Sequence, residues 1–411
     1  MYGLIGEKLG HSFSKEIHEK LAPYTYSLTE LSPTEMDEFF RAKKFKAVNV
    51  TIPYKEKVLP YLDVIDPVAK EIGAVNTVVC RGGKLYGYNT DFYGLKNLFF
   101  HAGVDVKGKK VAVLGTGGTS KTATAVCKAL GAREIIKVSR KKINGAVSYL
   151  NLYEKHADIQ VLVNTTPVGM YPNTDSCPVE IDRFPALSGV IDVVYNPLKT
   201  ELILQAEERK IPAEGGLYML VCQAVKASEL FLGKEYPKDA AETIYREILR
   251  SKKNLVLVGM PSSGKTTLST LLAKKLNRSA VDTDRTVVEK TGREIADIFA
   301  CDGEESFRAL EEEAVQEAAK QTGVVIATGG GVVLKKKNVR NLKKNGKIYF
   351  LDRPLKLLTA TADRPLTKDT EGMKKRYDER YEKYLAAADT VVKADKSLEE
   401  ELNEILGDWE R

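Results

Sequence analysis

The residues whose spacing carries the most chemistry are Gly259-Met260-Pro261-Ser262-Ser263-Gly264-Lys265-Thr266. They fit G-x-x-x-x-G-K-[ST], between an apolar run at 254–258 and a helix pattern at 267–276. Gly259 and Gly264 let the backbone curl so that successive N–H groups, through Ser262 and Ser263, face nucleotide phosphates. The helix that opens at Thr267 adds the positive end of its dipole. In such a loop Lys265 reaches the β- and γ-phosphates of ATP, and the Thr266 hydroxyl ligates Mg2+. Val281-Asp282-Thr283-Asp284 follows the helix pattern. Two carboxylates two residues apart at a strand end can divide the work. Asp282 would hold Mg2+, and Asp284 would accept the proton of an attacking hydroxyl.

A second glycine turn, Gly115-Thr116-Gly117-Gly118-Thr119-Ser120, follows an apolar run at 109–114 and precedes a helix pattern at 121–130. It reads as a dinucleotide turn with an irregular third glycine. The next apolar run, 134–138, ends in Ser139-Arg140-Lys141-Lys142. An acid at this point would bind a ribose 2′-hydroxyl. Arg140 is placed to meet a 2′-phosphate instead, which selects NADP. Four polar phrases precede this turn: His11-Ser12-Phe13-Ser14, Asn49-Val50-Thr51-Ile52-Pro53-Tyr54-Lys55, Gly73-Ala74-Val75-Asn76-Thr77 and Gly87-Tyr88-Asn89-Thr90-Asp91. A ketone reduced by hydride needs a proton donor near its oxygen, and Lys55 with Asp91 is the pair for that task. A carboxylate beside a lysine holds the proton on. Two roles for Lys55 therefore stay open, acid/base and charged donor to a developing alkoxide. The hydroxyls of Ser12, Ser14 and Thr51 and the amides of Asn76 and Asn89 suit a polyol acid.

In their order these phrases resemble two known families. From residue 254 onward, Asp282-Thr283-Asp284, Phe307-Arg308 with Glu311, Gly329-Gly330-Gly331, Arg364-Pro365-Leu366 and Arg380-Tyr381 behind a phosphate loop are similar to shikimate kinase. The resemblance implies that Asp284, Arg308, Gly330 and Arg380 hold shikimate, the two arginines gripping its carboxylate by paired hydrogen bonds. It implies that Arg364 lies in a lid over the phosphates. Leu357-Leu358-Thr359-Ala360 stands where the family often carries an adenine-stacking arginine.

Residues 1–250 resemble shikimate dehydrogenase. Beyond the four phrases, Asn164-Thr165-Thr166-Pro167-Val168-Gly169-Met170, Asp192-Val193-Val194-Tyr195-Asn196-Pro197 and the run from Gly216 to Gln223 occur in family order. The resemblance implies that Ser12 and Ser14 bind a carboxylate and that Asn76, Asn89, Asp91 and Gln223 bind ring hydroxyls, with Tyr195 near the ring. Thr165, Met170 and Gly216 would line the nicotinamide side. Phe92 stands where glycine is usual, and Lys15 and Glu19 where proline and asparagine are common.

Strands alternating with helices must position these groups, which predicts an α/β chain with mainly parallel sheets. With 411 residues it exceeds one ordinary core. Arg81-Gly82-Gly83-Lys84 between apolar runs at 74–80 and 84–88 predicts a hairpin. A polar joint, Arg250-Ser251-Lys252-Lys253, separates a helix pattern at 239–249 from the run at 254–258. The expected layout is a two-lobed dehydrogenase followed by a P-loop kinase domain at 253–411, a parallel sheet flanked by helices. Residues 1–100 form the substrate lobe, completed by about 218–250, and 101–217 form a Rossmann NADP-binding lobe.

The net charge of +7 is dispersed, and its longest clusters, such as Lys335-Lys336-Lys337 and Lys141-Lys142, are short. That suits small anionic substrates and nucleotide phosphates, and no nucleic-acid partner is expected. The five cysteines, Cys80, Cys127, Cys177, Cys222 and Cys301, include no C-x-x-C. An odd, scattered set predicts buried free thiols, neither a disulfide framework nor a zinc site. No apolar run approaches the roughly 20 residues that span a bilayer, and the N-terminus lacks a signal-peptide pattern. A cytoplasmic enzyme with no membrane and no obligate protein partner is expected. The combined reading is a bifunctional enzyme of the aromatic amino-acid (chorismate) pathway. NADPH reduces 3-dehydroshikimate to shikimate, and ATP with Mg2+ phosphorylates shikimate to shikimate 3-phosphate. The alternative keeps the folds but oxidises quinate or shikimate with NAD and phosphorylates another small polyol. The basic segment after Val138 and the Arg308/Arg380 pair argue against it. A nucleotide-sensing scaffold would lack Lys55, Asp91, Lys265 or Asp284, and all four are present.

Overall fold

The computed structural model describes residues 1–10, 12–358 and 370–410. It divides into two compact units, Met1–Leu249 and Arg250–Arg411.

The first unit holds two sheets. One comprises β1 (Tyr2–Gly6), β2 (Tyr26–Glu30), β3 (Ala47–Val50), β4 (Val64–Ile65), β5 (Thr77–Arg81) and β6 (Lys84–Tyr88), in the order β2-β1-β3-β5-β6-β4. β1 pairs in parallel with β2 and β3, whereas β5 runs antiparallel to β3 and β6. The β5–β6 turn has only Gly82 and Gly83 between paired Arg81 and Lys84, both at positive φ (55° and 73°), as a two-residue hairpin requires. Because β5 is reversed, its start lies at the same edge as the ends of β1, β3 and β6. Ser12, Lys55, Asn76 and Asn89 leave the sheet at that edge.

The second sheet is wholly parallel: β7 (Lys110–Leu114), β8 (Glu134–Val138), β9 (Val161–Asn164), β10 (Gly189–Asp192) and β11 (Ala213–Glu214), ordered β11-β10-β9-β7-β8. The chain turns one way from β7 to β8 and the other way from β9 onward. The crevice for a ligand in such a sheet lies at that reversal, outside the strand ends. Gly115 follows β7 and Thr165 follows β9. Gly115 has φ +110°, and a Cβ there would sit 2.8 Å from the Thr165 hydroxyl.

The helices Thr90–His101 and Leu217–Leu232 pack together, with Leu95, Leu98, Phe99 and Met219 in the core of the second sheet and Ala227 and Phe231 in that of the first. Their closest approach is at Gly94, where a Cβ would lie 2.5 Å from the Met219 carbonyl oxygen. That contact sets Gln223 beside Thr90, with the Thr90 hydroxyl donating to Gln223 Oε1 at 3.4 Å.

The second unit is one parallel sheet, β12 (Asn254–Val258), β13 (Ala280–Asp282), β14 (Val325–Ala327), β15 (Gly346–Asp352) and β16 (Thr390–Lys393), ordered β13-β14-β12-β15-β16. Strand β12 is central and buried throughout, which is why its run reads as unbroken apolar residues. The helix Ile295–Lys320 is broken at Gly303, whose φ of 83° and ψ of 172° are not helical. Residues 250–252 of the joint are the last turn of the helix Ala240–Lys252. Within the second unit, Arg278 donates to the carbonyls of Lys253 (2.7 Å) and Arg250 (2.5 Å), and the Gly323 N–H donates to Lys252 (2.9 Å). These donors cap carbonyls that a helix end leaves unpaired.

All five cysteines are free. Cys127 and Cys222 are buried as expected, but Cys301 is exposed, on the solvent side of its helix. Among the described residues no helix is long and apolar enough to cross a membrane.

Candidate active sites

In the first unit Lys55 Nζ donates to Asp91 Oδ2 at 2.7 Å, with the two side chains only 15% and 9% exposed. Lys55 comes from the turn after β3, and Asp91 from the first turn of the helix Thr90–His101. Asn89 is the N-cap of that helix, its Oδ1 accepting from the Phe92 N–H at 3.0 Å. The Asn89 amide also donates to Ala74 O at 2.9 Å and to the Thr122 hydroxyl at 3.3 Å. Asn76 Oδ1 accepts from the Thr90 N–H at 2.7 Å, and its amide donates to the Thr90 hydroxyl at 3.1 Å. The Ser14 N–H donates to Ser12 Oγ at 3.2 Å. Tyr195 hydrogen-bonds Ser12 and packs on Phe13; burial pushes its phenol up, and the Ser12 bond pulls it back.

The glycine turn faces this pair. A Cβ on Gly118 would lie 3.7 Å from Lys55 Cβ. The helix Gly118–Ala129 starts on Gly117 with no side-chain cap, so its first N–H groups are presented to a ligand. Ser139 is buried at the end of β8 and accepts from the Lys141 N–H at 3.1 Å, while Arg140 is exposed beside it. Thr165 donates to Leu114 O at 2.5 Å, and Met170 is 44% exposed. A Cβ on Gly216 would strike the Val193 carbonyl, so only glycine fits there.

In the second unit a cavity of about 770 Å³ is lined by the phosphate loop, Asp282, Asp284, Arg308, Gly330 and Arg380 among others. Ser262 (φ 63°), Gly259 (φ 153°) and Gly264 (φ 92°) bend the loop, and the helix Lys265–Leu276 begins with no side-chain cap. Lys265 is folded onto the loop, donating to the carbonyls of Gly259 (2.9 Å) and Met260 (2.8 Å). The Thr266 hydroxyl, next to Thr267, donates to Asp282 Oδ2 at 2.9 Å. Asp282 also caps the helix Thr283–Thr291 through the Asp284 and Arg285 N–H groups. A hydroxyl and a carboxylate side by side are the hard oxygen donors that Mg2+ takes.

Arg308 bridges Glu311 (2.8 Å) and Glu304 (3.0 Å). Burial pulls its guanidinium down, but the two acids hold it above the ordinary value on balance. Arg380 is buried and donates to Gly330 O at 2.9 Å. Burial lowers it, and Arg308 nearby adds to that. Arg308 Nε and Arg380 Nε and Nη2 have no hydrogen-bond partner among the described residues. Buried guanidinium N–H groups left over in one cavity fit a carboxylate.

A family model described as the shikimate dehydrogenase substrate binding domain matches residues 4–78. The NADP+-dependent shikimate dehydrogenase of Clostridium perfringens is 40% identical over 267 residues, 60% of this chain and 98% of that protein. The chain belongs to the shikimate dehydrogenase family. A shikimate dehydrogenase structure from Peptoclostridium difficile matches with TM-score 0.56 at 38% identity, covering 60% of this chain and 97% of its own. One from Thermus thermophilus, solved with NADP(H) and shikimate, matches with TM-score 0.54 at 28% identity, covering 60% and 98%. The shikimate kinase family model matches residues 261–409. A shikimate kinase domain therefore follows the dehydrogenase on one polypeptide, and the chain is a bifunctional shikimate-pathway enzyme.

In this dehydrogenase the sequence-derived residues Ser12, Ser14, Thr51, Lys55, Asn76, Asn89 and Asp91 come from one sheet edge, joined there by Gln223 from the helix Leu217–Leu232. Asn76 and Asn89 already spend much of their amide capacity inside the protein. Arg364 and His11 lie outside the described residues. Sequence reasoning missed the role of Asn49. Its Oδ1 accepts from the Tyr26 hydroxyl (2.7 Å), and its amide donates to Thr77 Oγ1 (3.0 Å). It also gave Glu311 no role. Glu311 is 1% exposed, pairs with Arg308, and with Asp284 abuts Gly329 so closely that a side chain there would displace both carboxylates. The signals for Glu311 were its place in the motif with Phe307 and Arg308 and its spacing of three from Arg308, one helical turn.

Proposed function

We propose that the first unit reduces 3-dehydroshikimate to shikimate with NADPH and that the second converts shikimate to shikimate 3-phosphate with ATP and Mg2+. The observation that carries the first half is the Lys55–Asp91 pair, 2.7 Å apart and turned toward the Gly115–Gly118 loop. A bound NADPH supplies the hydride. Lys55, held by Asp91, donates a hydrogen bond and then a proton to the ketone oxygen. Arg140 at the end of β8 provides the contact for a 2′-phosphate. Ser12, Ser14 and Thr51 offer hydroxyls to the substrate carboxylate and ring, and Asn76, Asn89 and Gln223 stand around them.

In the second unit, the leftover N–H groups of Arg308 and Arg380 support a carboxylate-bearing acceptor. Asp284 orients the attacking hydroxyl and accepts its proton. Asp282 and Thr266 would hold Mg2+, and Lys265 would leave the loop carbonyls for the phosphates. The test is a coupled assay on the intact chain with 3-dehydroshikimate, NADPH and Mg-ATP, following both products. Shikimate 3-phosphate forming at the expense of NADPH is expected. Equal use of NADH, or phosphorylation of gluconate in preference to shikimate, would overturn the substrate reading.

A further inference from the structure

Asp192 ends β10 with its side chain wholly buried. Its Oδ1 accepts from Asn164 Nδ2 at 2.9 Å and from the Val194 N–H at 3.0 Å, and its Oδ2 accepts from the Thr200 hydroxyl at 2.7 Å. All three donors are neutral. A buried carboxylate without a cationic partner is costly, and burial pushes this carboxyl up to about 7 against the pull of its donors. Removing the carboxylate would leave those three donors unsatisfied, so Asp192 ties together the segments that carry them.

Each donor belongs to a segment that carries a site residue. Asn164 ends β9, and its Oδ1 accepts from the Thr166 N–H (3.0 Å) and hydroxyl (2.7 Å), wrapping the turn from Thr165 toward Met170. Val194 precedes Tyr195, and its carbonyl accepts from the Gly216 N–H at 2.9 Å. Thr200 caps the helix Glu201–Glu208 and borders Gly169, where a Cβ would meet it at 3.3 Å. One carboxylate thus joins the stretches holding Thr165, Met170, Tyr195 and Gly216.

We infer that Asp192 is a positioning residue for hydride transfer, fixing the Thr165–Met170 turn against the segment that carries Tyr195. This rests on the dehydrogenase reading of those residues. The 2′-phosphate of the cofactor would be met away from this joint, by Arg140 after β8. Loss of Asp192 should therefore disturb transfer without disturbing that end. Asp192→Ala should lower dehydrogenase kcat at least tenfold while binding of adenosine 2′,5′-bisphosphate stays within twofold of wild type. Asp192→Asn keeps the two Oδ1 bonds and should recover most of the rate. Should Asp192→Ala not fold, Thr200→Val, which removes the bond to Asp192 together with the N-cap bond from the Ile203 N–H, should lower kcat at least threefold, with Thr200→Ser, which keeps both, at wild-type level. A folded Asp192→Ala or Thr200→Val enzyme with kcat within twofold of wild type overturns the inference. So does a kcat loss matched by an equal loss of bisphosphate binding. Kinase turnover in the same chain normalises the amount of protein in each sample, and bisphosphate binding reports the fold of the dehydrogenase unit. A wild-type chain that failed to reduce 3-dehydroshikimate would instead sink the dehydrogenase reading.

Discussion

An ammonium has three donors, and Lys55 spends one on Asp91. The others remain for a ligand oxygen, so the proposed hydrogen bond to a ketone would not require the pair to separate. Lys55→Ala should lower dehydrogenase kcat by roughly 10²–10⁴ with kinase turnover unchanged. A rise in KM alone, measured for 3-dehydroshikimate, would make Lys55 a binding group. His18 acts on stability instead. It is wholly buried, stacked on Tyr26 at 4.1 Å, with Nδ1 2.7 Å from the Tyr24 hydroxyl, and burial holds it down at about 3 against an ordinary 6.5. The unfolded chain takes up that proton first on acidification. The stability it contributes is complete above pH 6.5 and is lost as the pH falls toward 3, with a slope of about 1.4 kcal/mol per pH unit. Denaturant titrations at several pH values should show a shallower acid decline for His18→Phe. An unchanged slope would assign the decline to other groups.

At the scale of elements, the crossing of the helices Thr90–His101 and Leu217–Leu232 depends on Gly94. A methyl there must displace the Met219 backbone. Gly94→Ala should cost about 1–3 kcal/mol and weaken substrate binding through Gln223, read as a lower melting temperature with a raised KM. The same contact shows what the sequence made legible. The phosphate loop, the strands at 134–138 and 254–258 and the glycine hairpin were readable because local spacing defines them. Helix starts were less so. The helices begin at Gly118 and Lys265, earlier than periodicity suggested, because glycine N-caps and loop residues carry no apolar repeat. The strand expected from Ala74 begins at Thr77, since the Val75 N–H goes to Lys55 O and the Asn76 side chain to Thr90. Asn49, Glu311 and Asp192 drew no role from the sequence because theirs comes from partners about 20 to 30 residues away or from a cavity wall that only folding creates.

At the scale of the whole molecule, the division at Leu249/Arg250 bears on where the activities can be separated. We expect residues 1–249 and 250–411 each to fold and keep one activity. A kinase fragment starting at Lys253 instead leaves Arg278 without the Arg250 carbonyl and the Gly323 N–H without that of Lys252. It should melt at a lower temperature than 250–411, reflecting a loss of about 0.5–1.5 kcal/mol for each bond removed. Equal melting temperatures would show that those bonds add nothing.

The joint itself is basic, with Arg250, Lys252 and Lys253 within four positions. By composition it invites trypsin, which must draw its substrate into an extended strand. Here Arg250 and Lys252 lie in the last turn of a helix and Lys253 joins it directly to β12, with the carbonyls of all three held by Arg278 and Gly323. Nicking would first require that turn to open. Limited digestion of the native enzyme should therefore spare this stretch, and the two activities should stay covalently joined in a protease-rich extract.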